Sequence, residues 1–206
     1  MTTASDSFTR ANETPLASPW ATSYGSGMNL TSNVAVSVAA TDKGSYYTGT
    51  WGNDQESMGT IGALSSNAQY AGLLVRANGS GNAFQVITDG TTGAGHTEFA
   101  YWSGGSYTAL NGVATTFANG NKMRLTVSGA SPSIILTLYK DTGGGWVQVG
   151  QQTGINVGPA SGNPGVGCYG VATIDDWSAT DNAGAAAAEL PELTMQPLAA
   201  PSWGRR

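Results

Sequence analysis

A chain of 206 residues with thirty glycines and only 10% charged residues can bury one complete core, and its composition is far from that of a helical protein. The net charge of -5 and eight scattered basic residues, of which only Arg205 and Arg206 are adjacent, argue against a nucleic-acid partner, which requires clustered Lys and Arg to neutralise phosphates. Cys168 stands alone, so no intrachain disulfide can form, and it reads as a small buried hydrophobe on a strand. The opening Met1, Thr2, Thr3, Ala4, Ser5, Asp6 has no basic segment followed by an apolar one, and no apolar run reaches membrane-spanning length. Neither a signal peptide nor membrane insertion is expected, and the chain is expected to stay in the cytoplasm where it is made.

Residues 6–10 alternate polar and apolar side chains and read as a short first strand. Residues 11–18 form a polar, Pro-containing loop leading to Trp20 and Tyr24. Residues 29–39, with Leu30, Val34, Val36 and Val38, read as one strand of period two from Val34 onwards. Asp42, Lys43 and Gly44 read as a turn before a strand at 45–51, and Gly52, Asn53 and Asp54 as another before a small-residue strand at 57–64. Residues 69–77 and 83–88 predict a hairpin around 78–81, and 97–103 with 107–110 a second across Gly104 and Gly105. Residues 122–128 alternate Met123, Leu125 and Val127 with Arg124 and Thr126, and 134–140 with 146–151 make a third hairpin around 142–145. The last strands fall in 164–181, and their expected partner is the first strand, because pairing first with last hides two edges and closes one domain. Turns at this spacing, with no convincing helix before 183, specify an all-β sandwich or barrel over residues 1–182. Beyond it, Pro191, Pro197 and Pro201 interrupt an Ala-rich stretch, so 183–206 reads as an extended tail outside the domain.

Four clusters carry a family resemblance. Asp6, Ser7, Phe8, Thr9 and Arg10 with Pro15, Leu16 and Trp20 open the chain, and Gly72, Leu73, Leu74, Val75 and Arg76 with Phe84 stand in its middle. Met123, Arg124 and Leu125 lead to Leu138 and Tyr139, and Ile174, Asp175, Asp176, Trp177 and Ser178 close it. Across 6–181 this resembles the concanavalin A-like lectin and glucanase jelly rolls, the superfamily that includes laminin G-like domains. The resemblance implies an antiparallel jelly-roll β-sandwich. The opening Asp, x, Phe, x, Arg, then Leu and Trp, is also similar to openings in jelly-roll domains of bacteriophage structural proteins.

Glucanases of this fold carry Glu, x, Asp, x, x, Glu on one strand, and hydrolysis needs a carboxylate pair about 5 Å apart for retention or about 6.5–9.5 Å for inversion. The sequence has no such triplet. Asp54 and Glu56 follow a turn and read as solvated turn residues, while the adjacent Asp175 and Asp176 are expected to face opposite sides of a strand. His96, the only histidine, lies in a loop and reads as a plain surface residue, with no second ligand for zinc and no triad. The run from Gly165 to Gly170 matches G-x-G-x-x-G, but no helix follows to meet a pyrophosphate. Many relatives bind calcium through loop Asp and Asn; Asp42 and Asp89 are weak candidates here, better read as turn residues, and neither a metal nor a cofactor is expected. Sugar binding needs aromatic faces with polar groups alongside. Tyr46, Tyr47, Trp51, Tyr101, Trp102 and Tyr107 cluster on neighbouring segments; about half must be core, because neighbours such as Tyr101 and Trp102 face opposite ways. Tyr46, Trp51, Trp102 and Tyr107 are the candidate carbohydrate platform.

The absent catalytic set, the absent export signal, the phage-like opening and the tail lead to the expectation of a non-enzymatic virion structural protein. It would be a phage capsid decoration, head-fibre or tail component, assembled in the host cytoplasm. A tail of this composition cannot bury enough surface to order itself. It is therefore expected to dock on other virion proteins or on copies of this chain, through Leu190, Leu193, Met195, Leu198 and Trp203, with Arg205 and Arg206 pairing with acidic groups. The alternative is a carbohydrate-binding, lectin-like module with host surface glycans as ligands. A glycoside hydrolase or lyase stands last.

Overall fold

The computed structural model describes residues 1–64, 69–89 and 96–181, and among them there is no helix. The strands, in chain order, are β1 (Thr3–Asp6), β2 (Trp20–Tyr24), β3 (Asn29–Thr31), β4 (Val34–Val36), β5 (Ala39–Tyr47), β6 (Gln55–Ala63), β7 (Tyr70–Ala77) and β8 (Ala83–Thr88). They continue with β9 (Thr97–Ser103), β10 (Ser106–Val113), β11 (Lys122–Ser128), β12 (Ile134–Asp141), β13 (Val147–Ile155), β14 (Asn163–Gly170) and β15 (Thr173–Thr180). They build two antiparallel sheets. One has eight strands in the order β13-β12-β11-β6-β15-β4-β3, with β1 added on β15; the other has seven in the order β10-β9-β8-β7-β14-β5-β2. This is the expected jelly-roll sandwich. The tail expected at 183–206, with all its proposed anchors, lies outside the described residues.

The period-two pattern decides which side chains meet in the middle. Leu73, Val75, Phe84, Val86, Phe99 and Val166 from the seven-stranded sheet face Ile61, Met123, Leu125, Val127, Leu136 and Leu138 from the eight-stranded one, all fully buried. Cys168 joins them, and burial pushes its thiol up to about 12, as suits an inert core residue. The strand expected at 122–128 has those bounds, and the central hairpin pairs Leu73 with Val86.

Three local expectations are corrected. The first strand is Thr3–Asp6, not 6–10; it pairs with the last as expected, Asp6 opposite Trp177, but Phe8 has a φ of 55° and turns out of the sheet. Asp6 causes this turn. Its carboxylate accepts the Phe8 amide (2.7 Å), the Arg10 guanidinium (2.7 and 2.9 Å) and the Trp20 indole N–H (2.7 Å), and Glu13 accepts from the other edge of Arg10 (2.8 Å). Residues 29–36 are two short strands and Ala39 already opens β5, because Ser32 and Asn33, with φ of 53° and 66°, make a tight hairpin turn that Asn tolerates. Asp42, Lys43 and Gly44 are no turn: they lie within β5, in register with Tyr169, Cys168 and Gly167 of β14.

Carboxylates also depart from their expected places. Glu56 is on β6, nearly buried, and takes a 2.6 Å ion pair from Arg124, which also lies 4.9 Å from the Tyr139 ring centroid. Asp54 stays in the turn and accepts the Gly129 amide at 2.9 Å. Asp175 and Asp176 do not face opposite sides. A bulge with Asp176 at φ 47° leaves Ile174 and Trp177 both buried, and holds the two acids between them outside the core.

Candidate functional site

Where Val166 and Cys168 of β14 point into the core, Gly165, Gly167 and Tyr169 must point out of the sandwich. On this outer face Gly167 stands in register with Gly44 of β5 on one side and Gly72 of β7 on the other. The three glycines leave a trough with no side chains of its own. Tyr24 enters from β2, and Gln85 from β8. A Cβ on Gly44 would strike the Tyr24 ring, with Cζ at 2.5 Å, and one on Gly167 would strike the Tyr24 hydroxyl and meet Gln85 Nε2 at 2.8 Å. The glycines at 44 and 167 are therefore spatial requirements of the face, and this is why a turn-like Asp-Lys-Gly sits inside a strand.

Tyr24 stacks on Trp102 with ring centroids 4.0 Å apart and planes 14° from parallel. Their strands, β2 and β9, are five places apart in the sheet order, about 24 Å along the surface at ordinary strand spacing. Ring contact over that interval requires long side chains lying across a concave face. Tyr107 of β10 closes edge-on against Trp102 at 5.3 Å, and Tyr46, Leu74 and Ala83 complete the cluster. Beside it, the half-buried Tyr70 and Tyr169 stack at 5.4 Å.

The polar groups of this cluster are incompletely satisfied. Trp102 donates its indole N–H to Gln85 Oε1 at 2.6 Å, and the Tyr107 hydroxyl donates to Glu98 Oε1. Asp42 Oδ1 is buried and has no hydrogen-bond partner among the described residues, while the buried Tyr24 Oη and Gln85 Nε2 meet each other beside Gly167 outside good hydrogen-bond geometry. Burial holds the Asp42 carboxyl above the usual carboxylate range. Burial, and then the Asp42 charge, push Tyr24 well above the ordinary phenol value; burial, the bond to Glu98 and the charges of Glu98 and Asp42 do the same to Tyr107. Both phenols therefore stay protonated; the buried Tyr24 and Trp102 rings fill the space over the glycines, and the half-buried Tyr46, Tyr107, Tyr70 and Tyr169 form the aromatic surface beside Asp42 and Glu98. Such a surface can hold hydroxyl-rich, uncharged rings.

Of the six clustered aromatics, three belong to this outer cluster (Tyr46, Trp102, Tyr107) and three pack on the sandwich core (Tyr47, Trp51, Tyr101), the division that strand alternation predicts. Trp51, one of the proposed platform residues, thus lies apart from the other three, edge-on to Tyr47 at 6.5 Å. Asp42 reaches the trough. Asp89 does not share it and pairs instead with His96, whose Nδ1 is 2.6 Å from Asp89 Oδ2. No group of three His, Cys, Asp or Glu side chains among the described residues is placed to hold a metal ion. Tyr24, Gln85 and Glu98 were not singled out by sequence. Gln85 carries a readable signal, being a polar residue at an outward position between Phe84 and Val86; the reach of Tyr24 across the sheet carries none.

No protein-family model matches the sequence, and no curated protein matches it. Among solved structures, the chain is similar to carbohydrate binding module CBM66 from Bacillus subtilis, at 16% identity over 77% of this chain and 91% of that one, with a TM-score of 0.57. It is similar also to the Ca2+/Man-bound exoplasmic/lumenal domain of VIP36 (16% identity, 79% and 83% covered, TM-score 0.52) and to the Crh5 transglycosylase in complex with NAG (11% identity, 88% and 84% covered, TM-score 0.54). Identities of this size show a shared fold and nothing finer. The chain has the concanavalin A-like jelly-roll fold, and none of these three neighbours is a virion protein.

Proposed function

We propose that this chain is a non-catalytic carbohydrate-binding module that takes a neutral glycan on the concave face of its seven-stranded sheet. The observation that carries the reading is the set of half-buried tyrosines, Tyr46, Tyr107, Tyr70 and Tyr169, standing beside the partly exposed carboxylates Asp42 and Glu98 on the outer face of the seven-stranded sheet. A ring with hydroxyl groups can bond the partly exposed carboxylates Asp42 and Glu98, while its C–H face rests on one of the half-buried tyrosines Tyr46, Tyr107, Tyr70 or Tyr169. The two carboxylates of this face, Asp42 and Glu98, oppose an acidic sugar. Support also comes from the fold neighbours, two of which are described with a bound sugar and one as a carbohydrate binding module.

A binder fits better than a hydrolase. Of the two carboxylates on this face, Glu98 is tied to Tyr107 and so is no free partner for Asp42 in the carboxylate pair that glycoside hydrolysis uses, and Glu56, on the other sheet, is tied to Arg124. The virion reading gains no support from the described residues or from these fold neighbours; equal particle incorporation of the full chain and a truncation after residue 182 would end it. The binding reading is tested by titrating the full chain with neutral β-1,4-glucan, β-1,3-glucan, xylan and fructan hexasaccharides. Tyr107→Ala and Tyr46→Ala are each expected to weaken the best ligand at least about tenfold. Unchanged affinity in both variants would remove the trough as the site.

A further inference from the structure

The opposite face of the sandwich carries a groove of about 380 Å³, within the size range of small-ligand sites. It is lined by Met58 and Thr60 of β6, Lys122 of β11, Asp176 and Ser178 of β15, and Trp146. A smaller hollow of about 190 Å³ shares Asp176 and Ser178 and continues the groove across β15 to Ser5 and Ser7. The path therefore runs across the strands β11, β6, β15 and β1, which stand in that order. Trp146 is the most exposed described tryptophan, at 37%, whereas Trp20, Trp102 and Trp177 are buried. Its position is prepared: the Asp141 carboxylate accepts the amides of Gly143 (2.7 Å) and Gly145 (2.9 Å), and these bonds hold its pKa below the usual range while fixing the turn that presents the indole. The Asp175–Asp176 bulge turns the second acid into the same groove.

We propose that this groove is a second carbohydrate site, taking a neutral oligosaccharide that stacks on Trp146 and exchanges hydrogen bonds with Lys122, Asp176, Thr60 and Ser178. The inference rests on the reading of the chain as a glycan binder. It adds that the module is bivalent, with sites on opposite faces that cannot serve the same stretch of glycan. One cation and one anion flank the groove, so it has no net charge to attract a charged polymer. Its lining supplies a donor in Lys122, an acceptor in Asp176 and hydroxyls of Thr60 and Ser178 that can act as either, as a polyhydroxylated chain requires. A module of this kind cross-links polysaccharide, and its avidity for an insoluble glycan exceeds the affinity of either face.

The test is calorimetric titration of the full chain with the same four neutral hexasaccharides, alongside Trp146→Ala and Lys122→Ala, both at exposed positions, and Tyr107→Ala on the other face. Thermal melts establish that each variant is folded. The expected result is two sites in the wild type, one in Trp146→Ala with at least tenfold loss at the groove, a weakened groove in Lys122→Ala, and one remaining site in Tyr107→Ala. Stoichiometry and affinities unchanged in both groove variants would overturn the second site and leave the trough standing. A single wild-type site lost only in Trp146→Ala would support the groove and overturn the trough. A wild type that binds no member of the panel would overturn both.

Discussion

Two aromatic regions of this molecule are built from similar parts and treat their polar atoms in opposite ways. At the N-terminal corner, Trp20 sits 4.7 Å from Trp177 and 5.7 Å from Phe8; Asp6 takes the Trp20 indole, the Phe8 amide and Arg10, and Trp177 donates to Ser57 Oγ at 2.9 Å. In the concave trough, Tyr24 and Trp102 stack as closely, yet Asp42 Oδ1 has no partner and Tyr24 Oη meets only Gln85 Nε2 outside good hydrogen-bond geometry. A satisfied buried network specifies the fold; single unpaired buried atoms also stand at Trp51 Nε1, Arg76 Nη1 and Thr180 Oγ1, so what sets the concave face apart is its half-buried tyrosines beside two carboxylates. The motif that looks most distinctive in the sequence therefore belongs to the architecture, and the site belongs to glycines and side chains that look ordinary.

Breaking the corner is expected to have the largest effect on stability and the least on binding. Asp6→Ala strips the partners from Arg10, the Phe8 amide and the Trp20 indole, and is expected to cost on the order of 3 kcal/mol in urea unfolding. The protein that remains folded is expected to bind glycan at the concave trough as the wild type does. Gly167→Ala sharpens the other side: its methyl group displaces Tyr24 and Gln85, with an expected cost of about 1–3 kcal/mol and loss of glycan affinity.

Asp42→Asn separates the two regions by the sign of its effect. Because burial raises the Asp42 pKa, the folded chain binds that proton more tightly than the unfolded chain. Stability therefore falls as pH rises from the usual carboxylate range through the folded value, and the deficit persists at neutral pH. Asparagine removes the charge, so the variant is expected to melt a few degrees above the wild type at pH 7, to lose that advantage at pH 3, and to bind glycan more weakly. A variant no more stable at pH 7, measured by calorimetry, would show that Asp42 carries no burial penalty. The smallest effect belongs to Trp51→Ala, which removes an aromatic that packs with Tyr47 on the core side. Glycan affinity is expected to stay within about twofold, since the two places share no partner.

The sandwich was legible because its signals are local. Alternation in 122–128 and the turn between Ala77 and Ala83 fix strands and registers by themselves, and the outward setting of Trp102 against Tyr101 follows from period two. Asp42, Lys43 and Gly44 misread as a turn because Gly44 answers to a ring arriving from β2, a demand made by tertiary packing. The split at Ser32 and Asn33 was hidden by the valines around it. The trough was half legible: Tyr46, Trp102 and Tyr107 are aromatics in sequence order, while the contact of Tyr24 with Trp102 depends on sheet curvature that no short window records.

The central claim is that the concave face of the seven-stranded sheet is where glycan binds. Backbone amide shifts followed by NMR during titration with the tightest-binding neutral hexasaccharide test it most directly. The account predicts a contiguous set of perturbed amides on β5, β14, β7, β8 and β9 around Gly44, Gly167, Gly72, Gln85 and Trp102, whatever is seen at Trp146. Perturbations absent from those strands at saturating ligand would contradict it.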